Sequence, residues 1–254
     1  MTAGSFPPDT VMLAHVRDAI CRQRAAMIGE HVSQQAGRRV LAGPFAGMLL
    51  PSQHSWGSGD KAPKTLGCYE EELHDSLEKA IMQKPEVVVN VGCAEGYYAV
   101  GLARRLPDAR VVAFDLDATA RGVCEASARE NDVASLELRE GCMPDALLEL
   151  CGGHSALVVM DCEGGELSLL TPAIMAGLRR ANVIVECHDF ANPATTAAVR
   201  EALSQFHDVS AIVEGPRDPN RYEVLRHLPS ADRWLAVCEF RPSTMHWLVG
   251  WSRA

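Results

Sequence analysis

The feature that most constrains the fold is a regular alternation of short apolar runs and helical stretches that begins after Pro85. Each run is rich in Val, Ile or Leu, and a stretch with helix-compatible spacing follows it. This alternation is typical of βαβ units, in which helices cover both faces of a parallel sheet. The predicted strands are 86–92, 110–115, 135–141, 156–161 and 182–189, and the predicted helices are 97–106, 117–130, 144–150, 165–178 and 194–205.

The C-terminal part adds three further strand candidates, at 208–215, 233–240 and 245–252. Because no helical stretch separates the last two, we expect the tail to end the sheet as an antiparallel pair. We therefore predict an α/β, Rossmann-like fold with a seven-stranded, mostly parallel sheet and helices on both faces.

Residues 1–84 precede this pattern, and we predict that they form an N-terminal cap on a sheet domain at 85–254. Apolar residues at helical spacing predict one long helix or two short ones over 9–36. Two β-like runs separated by glycine and proline predict a hairpin within 38–51.

The second half of this cap contains a polar loop and another helix. Glutamates near the start of 69–83 and lysines near its end suit the helix dipole and predict a helix there. The polar loop 52–64 is either a lid that brings His54 and Trp56 to a substrate or an ordinary surface loop. An added cap of this kind either covers a binding crevice or forms a homodimer contact.

The composition excludes several classes of protein. The formal net charge of -9 argues against a nucleic-acid partner, since phosphate neutralisation needs clustered Lys and Arg. No apolar stretch approaches the roughly 20 residues that span a bilayer. The nine cysteines form no C-x-x-C pair and are interpreted as reduced thiols. We expect a cytoplasmic protein with a small-molecule substrate.

The turn after the first predicted strand reads VGCAEGYY, residues 91–98. A strand that passes through glycine into a helix is typical of a nucleotide-binding turn. A dinucleotide fingerprint would read G-x-G-x-x-G, but Ala94 and Tyr97 stand where its second and third glycines belong. The pattern therefore disfavours a dinucleotide.

The spacing Gly92-x-Ala94-x-Gly96 resembles the first motif of class I S-adenosylmethionine-dependent methyltransferases. Asp115 ends the next strand, where a carboxylate can accept hydrogen bonds from ribose hydroxyls. Gly141 ends the third strand, where the adenine pocket of that family would lie. Taken alone, Asp115 could be a helix-capping acid and Gly141 a simple turn residue.

The resemblance implies that the cofactor is S-adenosylmethionine and that the product is S-adenosylhomocysteine. The residues expected to contact the cofactor are Tyr69, Asn90, Gly92, Cys93, Ala94, Gly96, Tyr97, Asp115, Leu116, Gly141, Cys142 and Asp161.

Ionisable side chains follow the fourth and fifth predicted strands. Asp161 and Glu163 come after one strand, and Glu186, His188 and Asp189 come at the end of the next. Both strand ends open on the same crevice, so these side chains are expected to lie close together. Burying them is costly without a partner, which makes them the candidate catalytic residues.

The segment MDCEGGELSLL, residues 160–170, is similar to the D-x-E-G-x-E motif of FkbM-type methyltransferases. This branch of the class I family largely modifies small molecules and sugars, mostly at oxygen. The resemblance covers residues 85 to about 190. It implies methyl transfer to an oxygen or nitrogen of a small polar metabolite, plausibly in natural-product biosynthesis.

The sequence leaves the chemistry of this cluster open. His188 could act as the base for a hydroxyl, with Asp189 or Glu186 orienting it. Alternatively, Asp161, Glu163 and Glu186 could grip a cationic amino or guanidino substrate. We predict no metal, and the weaker alternative is a divalent cation on Asp161, Glu186 and Asp189.

These residues could instead have structural roles, and the protein could lack catalytic activity. Glu166 could begin the helix predicted at 165–178, where an acid complements the helix dipole, or act in catalysis. His188 could be a structural histidine. The whole fold could bind the cofactor without catalysis, as a regulatory module.

Overall fold

The structure is a computed structural model that describes residues 8–53 and 58–254. Its centre is a seven-stranded sheet with the order β3-β2-β1-β4-β5-β7-β6. The strands are β1 (Val87–Val91), β2 (Arg110–Phe114), β3 (Leu136–Arg139), β4 (Ala156–Met160), β5 (Ala181–Cys187), β6 (His207–Val213) and β7 (His246–Ser252). Neighbouring strands from β1 to β5 pair in parallel, whereas β7 is antiparallel to both β5 and β6. The predicted fold class is confirmed.

Helices pack on both faces of this sheet because its central strands are apolar on both sides. Val88 faces a core shared with Leu77, whereas the adjacent Val87 and Val89 face a second core shared with Leu147. The helices are α1 (Pro8–Gln35), α2 (Lys61–Leu66), α3 (His74–Met82), α4 (Tyr97–Arg105), α5 (Ala118–Glu130), α6 (Pro144–Cys151), α7 (Glu166–Leu169), α8 (Pro172–Gly177), α9 (Thr195–Ser204) and α10 (Ser230–Leu235).

Two predicted helices differ from the structure in their bounds. The helix predicted over 165–178 is split into α7 and α8, because Pro172 opens α8 and disfavours helical geometry at Thr171 before it. The helix predicted over 69–83 begins only at His74, after a short 3₁₀ turn. Tyr69 therefore lies in the connection before α3 rather than within it.

The cap contains the predicted long helix but not the predicted hairpin. Within 38–51 the two runs share a single bridge, between Arg39 and Leu49, and form no strand. The loop predicted over 52–64 contains the start of α2, which packs on α1 in a small core with Ile28, Val32 and Leu66. His54 and Trp56 lie outside the described residues.

The strand predicted over 233–240 is wrong. Its first residues belong to α10, and Ala236 and Val237 pack with Ile28 of α1 in the small core of the cap. A short apolar run does not by itself distinguish a strand from a buried helix. The antiparallel end of the sheet is formed by β6 and β7 instead.

Within 8–53 and 58–254, no helix is both long enough and apolar enough to cross a membrane.

Candidate active site

A cavity of about 770 Å³ opens at the carboxyl ends of the parallel strands. One side is formed by the turns that follow β1, β2 and β3 and by residues 161–165 after β4. Arg22 of α1, Asp60 and Lys64 of the α2 region, and residues 239–242 form further parts of its wall. The sheet thus presents its strand ends to a space that the cap and the C-terminal segment enclose.

The turn after β1 has a glycine where no other residue fits. Gly92 has a φ of +80°, and a Cβ at this position would lie 1.5 Å from the backbone oxygen of Asp161. Because β1 and β4 are neighbours, the turn after β1 packs directly on the chain that leaves β4. Gly92 therefore brings the β1 turn and Asp161 into contact at the edge of the cavity.

Asp115 holds the same turn from the end of β2. Its Oδ2 accepts a hydrogen bond from the backbone N–H of Ala94 at 2.8 Å, and its Oδ1 accepts one from Asp117 at 2.9 Å. Ala94 has a φ of +44°, a conformation that a non-glycine residue adopts only when its surroundings enforce it. A carboxylate has about four acceptor positions. Asp115 can thus fix the turn and still accept from a ligand.

Most of the predicted cofactor residues line the cavity. Those in its wall are Tyr69, Gly92, Ala94, Asp115, Leu116, Gly141, Cys142 and Asp161. The remaining four, Asn90, Cys93, Gly96 and Tyr97, are not in this wall.

Three of these four residues stabilise the strand and the helix that carry the cavity wall. The amide of Asn90 donates to the carbonyl of Val159, which ties β1 to β4. Gly96 caps α4 with a φ of +93°, and the ring of Tyr97 packs edge-on against Phe45. Contact of these four residues with the cofactor stays a prediction.

The catalytic candidates converge on His188. Its Nδ1 lies 2.5 Å from Oε1 of Glu166, and its Nε2 lies 3.4 Å from Asp161 and 3.5 Å from each of Glu163 and Glu186. Oε1 of Glu166 accepts a hydrogen bond from Nδ1, so Nδ1 carries a proton, and the three acidic groups around Nε2 favour a second proton there by their charge. A doubly protonated histidine cannot take a proton from a substrate. The structure therefore argues against His188 as the base.

The pKa values of the cluster agree with this geometry. Burial lowers the pKa of His188, but hydrogen bonds with Asp161 and Glu166 outweigh it and raise the pKa to about 10. Burial, with the charges of Asp161 and Glu70, raises the pKa of Glu186 to about 10. Burial and Asp161 also raise the pKa of Glu163. His188 is thus cationic at neutral pH, and Glu186, which resists ionisation because it is buried among acidic groups, is paired with Arg241.

Asp189 does not take part in this cluster. Its carboxylate accepts hydrogen bonds from the backbone N–H of Thr196 at 2.9 Å and from the Thr196 hydroxyl at 2.5 Å. It is absent from the cavity wall and stabilises the start of α9 instead. Glu166, rather than the predicted Asp189 or Glu186, contacts Nδ1 of His188 and orients the ring.

Sequence reasoning missed a buried charge network beside the cluster. Arg241 pairs with Glu186, with Glu70 at 2.7 Å and with Glu239 at 3.1 Å. The hydroxyl of Tyr98 also donates to Glu70, which is fully buried. The predicted strand at 233–240 included Glu239 and ended directly before Arg241, so neither residue was assigned to the site, although charged residues on both sides of Phe240 were a usable signal.

The three side chains of Asp161, Glu186 and His188 have ligand atoms within 4.8 Å of one another. A cation there would require Nε2 of His188 to lose its proton, whereas Glu186 could remain paired with Arg241 through Oε1 and offer Oε2. The contacts in the structure therefore fit a protonated histidine better than a metal ion. Asp189, part of the weaker metal alternative, is bound to Thr196.

No family model matches the chain, and no curated protein matches its sequence. Solved structures resemble its fold. Cofactor-bound Rv0187 from MTB is 19% identical, with a TM-score of 0.49 over 77% of this chain and 86% of its own. The O-methyltransferase TomG from Streptomyces achromogenes, solved with SAM, is 17% identical, with a TM-score of 0.49 over 81% and 93%.

A third such structure is precorrin-6y C5,15-methyltransferase from Geobacter metallireducens. It is 16% identical, with a TM-score of 0.48 over 74% of this chain and 91% of its own. Similarity at this level concerns the arrangement of helices and strands, and the argument for a function comes from the site itself.

Proposed function

We propose that this protein is an S-adenosylmethionine-dependent methyltransferase of the class I type that acts on an oxygen or nitrogen of a small polar metabolite. The observation that carries the proposal is the Gly92 turn. It packs on the backbone of Asp161 with no room for a side chain, and Asp115 ties it to the neighbouring strand at the wall of an open cavity. Turns of this kind suit a nucleoside ligand.

The wall residues fit the two halves of an adenosine group. Asp115 retains acceptor positions for ribose hydroxyls, as argued above. Leu116, Cys142 and Met143 supply apolar surface beside it for an adenine ring. The missing second and third glycines of a dinucleotide fingerprint argue against a pyrophosphate ligand.

When bound, S-adenosylmethionine supplies a methyl group on a sulfonium to a nucleophile. The chain then has to align the acceptor and receive one proton from it. Glu163 is the residue best placed to receive that proton. It lines the cavity, its side chain is 52% exposed, and its pKa is raised toward neutral pH.

The remaining cluster residues hold Glu163 and the acceptor in place. The cationic His188 attracts the carboxylates of Asp161 and Glu163 to one side of its ring, and Glu166 fixes the other side. Glu163 has a φ of +53°, an unfavourable conformation that these contacts help to maintain. The acceptor proton would pass from its oxygen or nitrogen to Glu163 as the new bond to the methyl carbon forms.

The FkbM-like branch belongs to the same proposal. Its support is that the three acidic residues of the motif, Asp161, Glu163 and Glu166, all lie against His188. Motif residues that meet at one site support the assignment more strongly than the sequence match alone. A role in natural-product biosynthesis follows from the resemblance alone and is part of the proposal.

The experiment is a transfer assay with methyl-labelled S-adenosylmethionine and two pools of acceptors, one of hydroxyl compounds and one of amino and guanidino compounds. We expect label in one pool, at a rate that magnesium and a chelator leave unchanged. Transfer that the chelator abolishes would contradict the metal-free site. Cofactor binding without transfer to either pool would favour a regulatory module instead.

A further inference from the structure

The cap contributes charged residues to the same cavity, at the side where the Gly92 turn meets α2. Asp60, Lys64 and Tyr69 all line the cavity there. Lys64 reaches the turn itself, since its Nζ lies 2.5 Å from Oε1 of Glu95, which sits between Ala94 and Gly96. The cap supplies this part of the wall, whereas Asp115 belongs to the turn after β2.

Lys64 is a buried cation, and its two ion pairs leave one N–H donor of the ammonium available. Its side chain is 8% exposed, and its Nζ pairs with Glu95 and, at 2.6 Å, with Oδ2 of Asp60. Burial lowers the pKa of Lys64, but Asp60 and Glu95 raise it well above its usual value, so the group is an ammonium. An ammonium has three N–H donors. The two ion pairs leave one of them, beside the ring of Tyr69 at 4.9 Å.

Asp60 also has an acceptor to offer. Its Oδ2 pairs with Lys64, whereas its Oδ1 is buried and has no hydrogen-bond partner in the part of the chain that the structure describes. A buried carboxylate oxygen without a donor is unfavourable. Because Asp60 lines the cavity, a rotation of its side chain would bring Oδ1 to a cationic donor of a ligand there.

A cation and an unsatisfied carboxylate oxygen side by side match one kind of ligand group, the zwitterionic end of an amino acid. S-adenosylmethionine carries such a group at the end opposite its adenine. If Asp115 and Gly141 hold the nucleoside, the amino-acid end has to extend along the cavity away from them.

We propose that Lys64 and Asp60 bind the amino-acid end of the cofactor, Lys64 by donating to its α-carboxylate and Asp60 by accepting from its α-ammonium. This inference rests on the proposed function. It makes the cap part of the cofactor site, and it predicts that the protein discriminates against nucleosides that lack the amino-acid end.

The test compares ligands by calorimetric titration and requires no turnover. S-adenosylhomocysteine carries the whole amino-acid end, and 5′-methylthioadenosine has the same nucleoside and thioether without it. The wild-type protein should bind the first at least about tenfold more tightly, since hydrogen bonds between charged groups are involved. Analogues that lack only the carboxylate or only the ammonium should each lose part of this preference.

Variants of Lys64 and Asp60 test whether these residues cause the preference for S-adenosylhomocysteine. Lys64→Met should weaken binding of S-adenosylhomocysteine by roughly tenfold or more and leave 5′-methylthioadenosine within about twofold. Asp60→Asn should do the same and should no longer distinguish the analogue without the ammonium. Lys61→Met is the matched control, because Lys61 lies on the same helix, is also buried and pairs with Glu30 away from this cavity.

The outcomes separate this inference from the proposed function. If the wild-type protein binds both nucleosides equally, or if Lys64→Met weakens both to the same extent, the assignment of the amino-acid end is wrong while nucleoside binding stands. If the wild-type protein binds neither, the proposed function fails, and this inference fails with it. Equal binding of the two nucleosides by the wild-type protein would overturn the inference even if a variant does not fold.

Discussion

Substitution of Glu163 should reduce turnover without weakening cofactor binding. Glu163→Gln keeps the size of the side chain but removes the group that receives the acceptor proton, so we expect turnover to fall by about a hundredfold or more. Affinity for S-adenosylhomocysteine should change little, since the ribose side of the cavity is untouched. Steady-state kinetics and calorimetry on the same preparation measure both quantities.

The control for Glu163→Gln is Glu140→Gln. Glu140 also lines the cavity, but it lies at the end of β3, away from His188. This variant should retain turnover. Near-normal turnover in Glu163→Gln itself would show that the proton goes elsewhere.

Glu166 is a positioning residue that acts through His188. In the wild-type protein His188 should remain doubly protonated at neutral pH and lose a proton only near its pKa of about 10. Glu166→Gln removes one of the three carboxylates that raise this pKa, and burial opposes the charge, so the proton should be lost at a lower pH. The imidazole ¹⁵N chemical shifts of His188, followed against pH by NMR, report this directly.

The raised pKa of His188 also determines how the stability of the fold changes with pH. A histidine whose pKa is raised on folding stabilises the fold fully below its usual pKa, and this contribution is lost as the pH rises through about 10. Neutral His188 in the wild-type protein at pH 7 would overturn the assigned role of Glu166 and restore His188 as a candidate base.

At the scale of elements, the contact between the β1 turn and the end of β4 leaves no room for a side chain. Gly92→Ala would place a Cβ 1.5 Å from a backbone oxygen at a φ of +80°. We expect the free energy of unfolding to fall by at least about 2 kcal/mol, with loss of nucleoside binding.

The matched control is Gly122→Ala. Gly122 lies in α5, and nothing is within 4 Å of the position where its Cβ would lie. Alanine is the better helix former, so this variant should be as stable as the wild-type protein or more stable by up to about 1 kcal/mol. Urea unfolding of the two variants compares them. Equal stability of Gly92→Ala and the wild-type protein would mean that the turn does not pack as described.

Elements with strong periodicity were predictable from the sequence. The central strands were found because β-branched runs such as 87–91 end in glycine or in charge, and α1 was found from its helical spacing. The short helix α2 was not, because it is six residues long, polar and interrupted by Pro63. Its amphipathic signal is too weak to read, yet it carries Lys64 into the cavity.

The candidate site was predictable only where strand order alone places the residues. Parallel topology brings the residues after β4 and β5 together, so the Asp161, Glu163, Glu186 and His188 cluster could be inferred. The partner of each side chain could not. Glu166 and Asp189 exchange their expected roles through side-chain packing, and Arg241 arrives from a distant segment whose path has no local signal.

At the scale of the whole molecule, the cap and the C-terminal segment together enclose the strand ends. Arg22 of α1 stacks on Phe240 and donates to its carbonyl oxygen, and Arg24 of the same helix pairs with Asp232 of α10. Residues on both sides of the predicted division at 84 and 85 contribute to one small core. A homodimer contact through the cap remains a prediction.

The central claim is that the cavity at the Gly92 turn binds S-adenosylmethionine, and calorimetric titration with S-adenosylhomocysteine tests it most directly. We predict one site with roughly micromolar affinity in the wild-type protein, and strong weakening in Asp115→Ala, which removes the ribose acceptor and loosens the turn. No binding by the wild-type protein, or unchanged affinity in Asp115→Ala, would contradict this account.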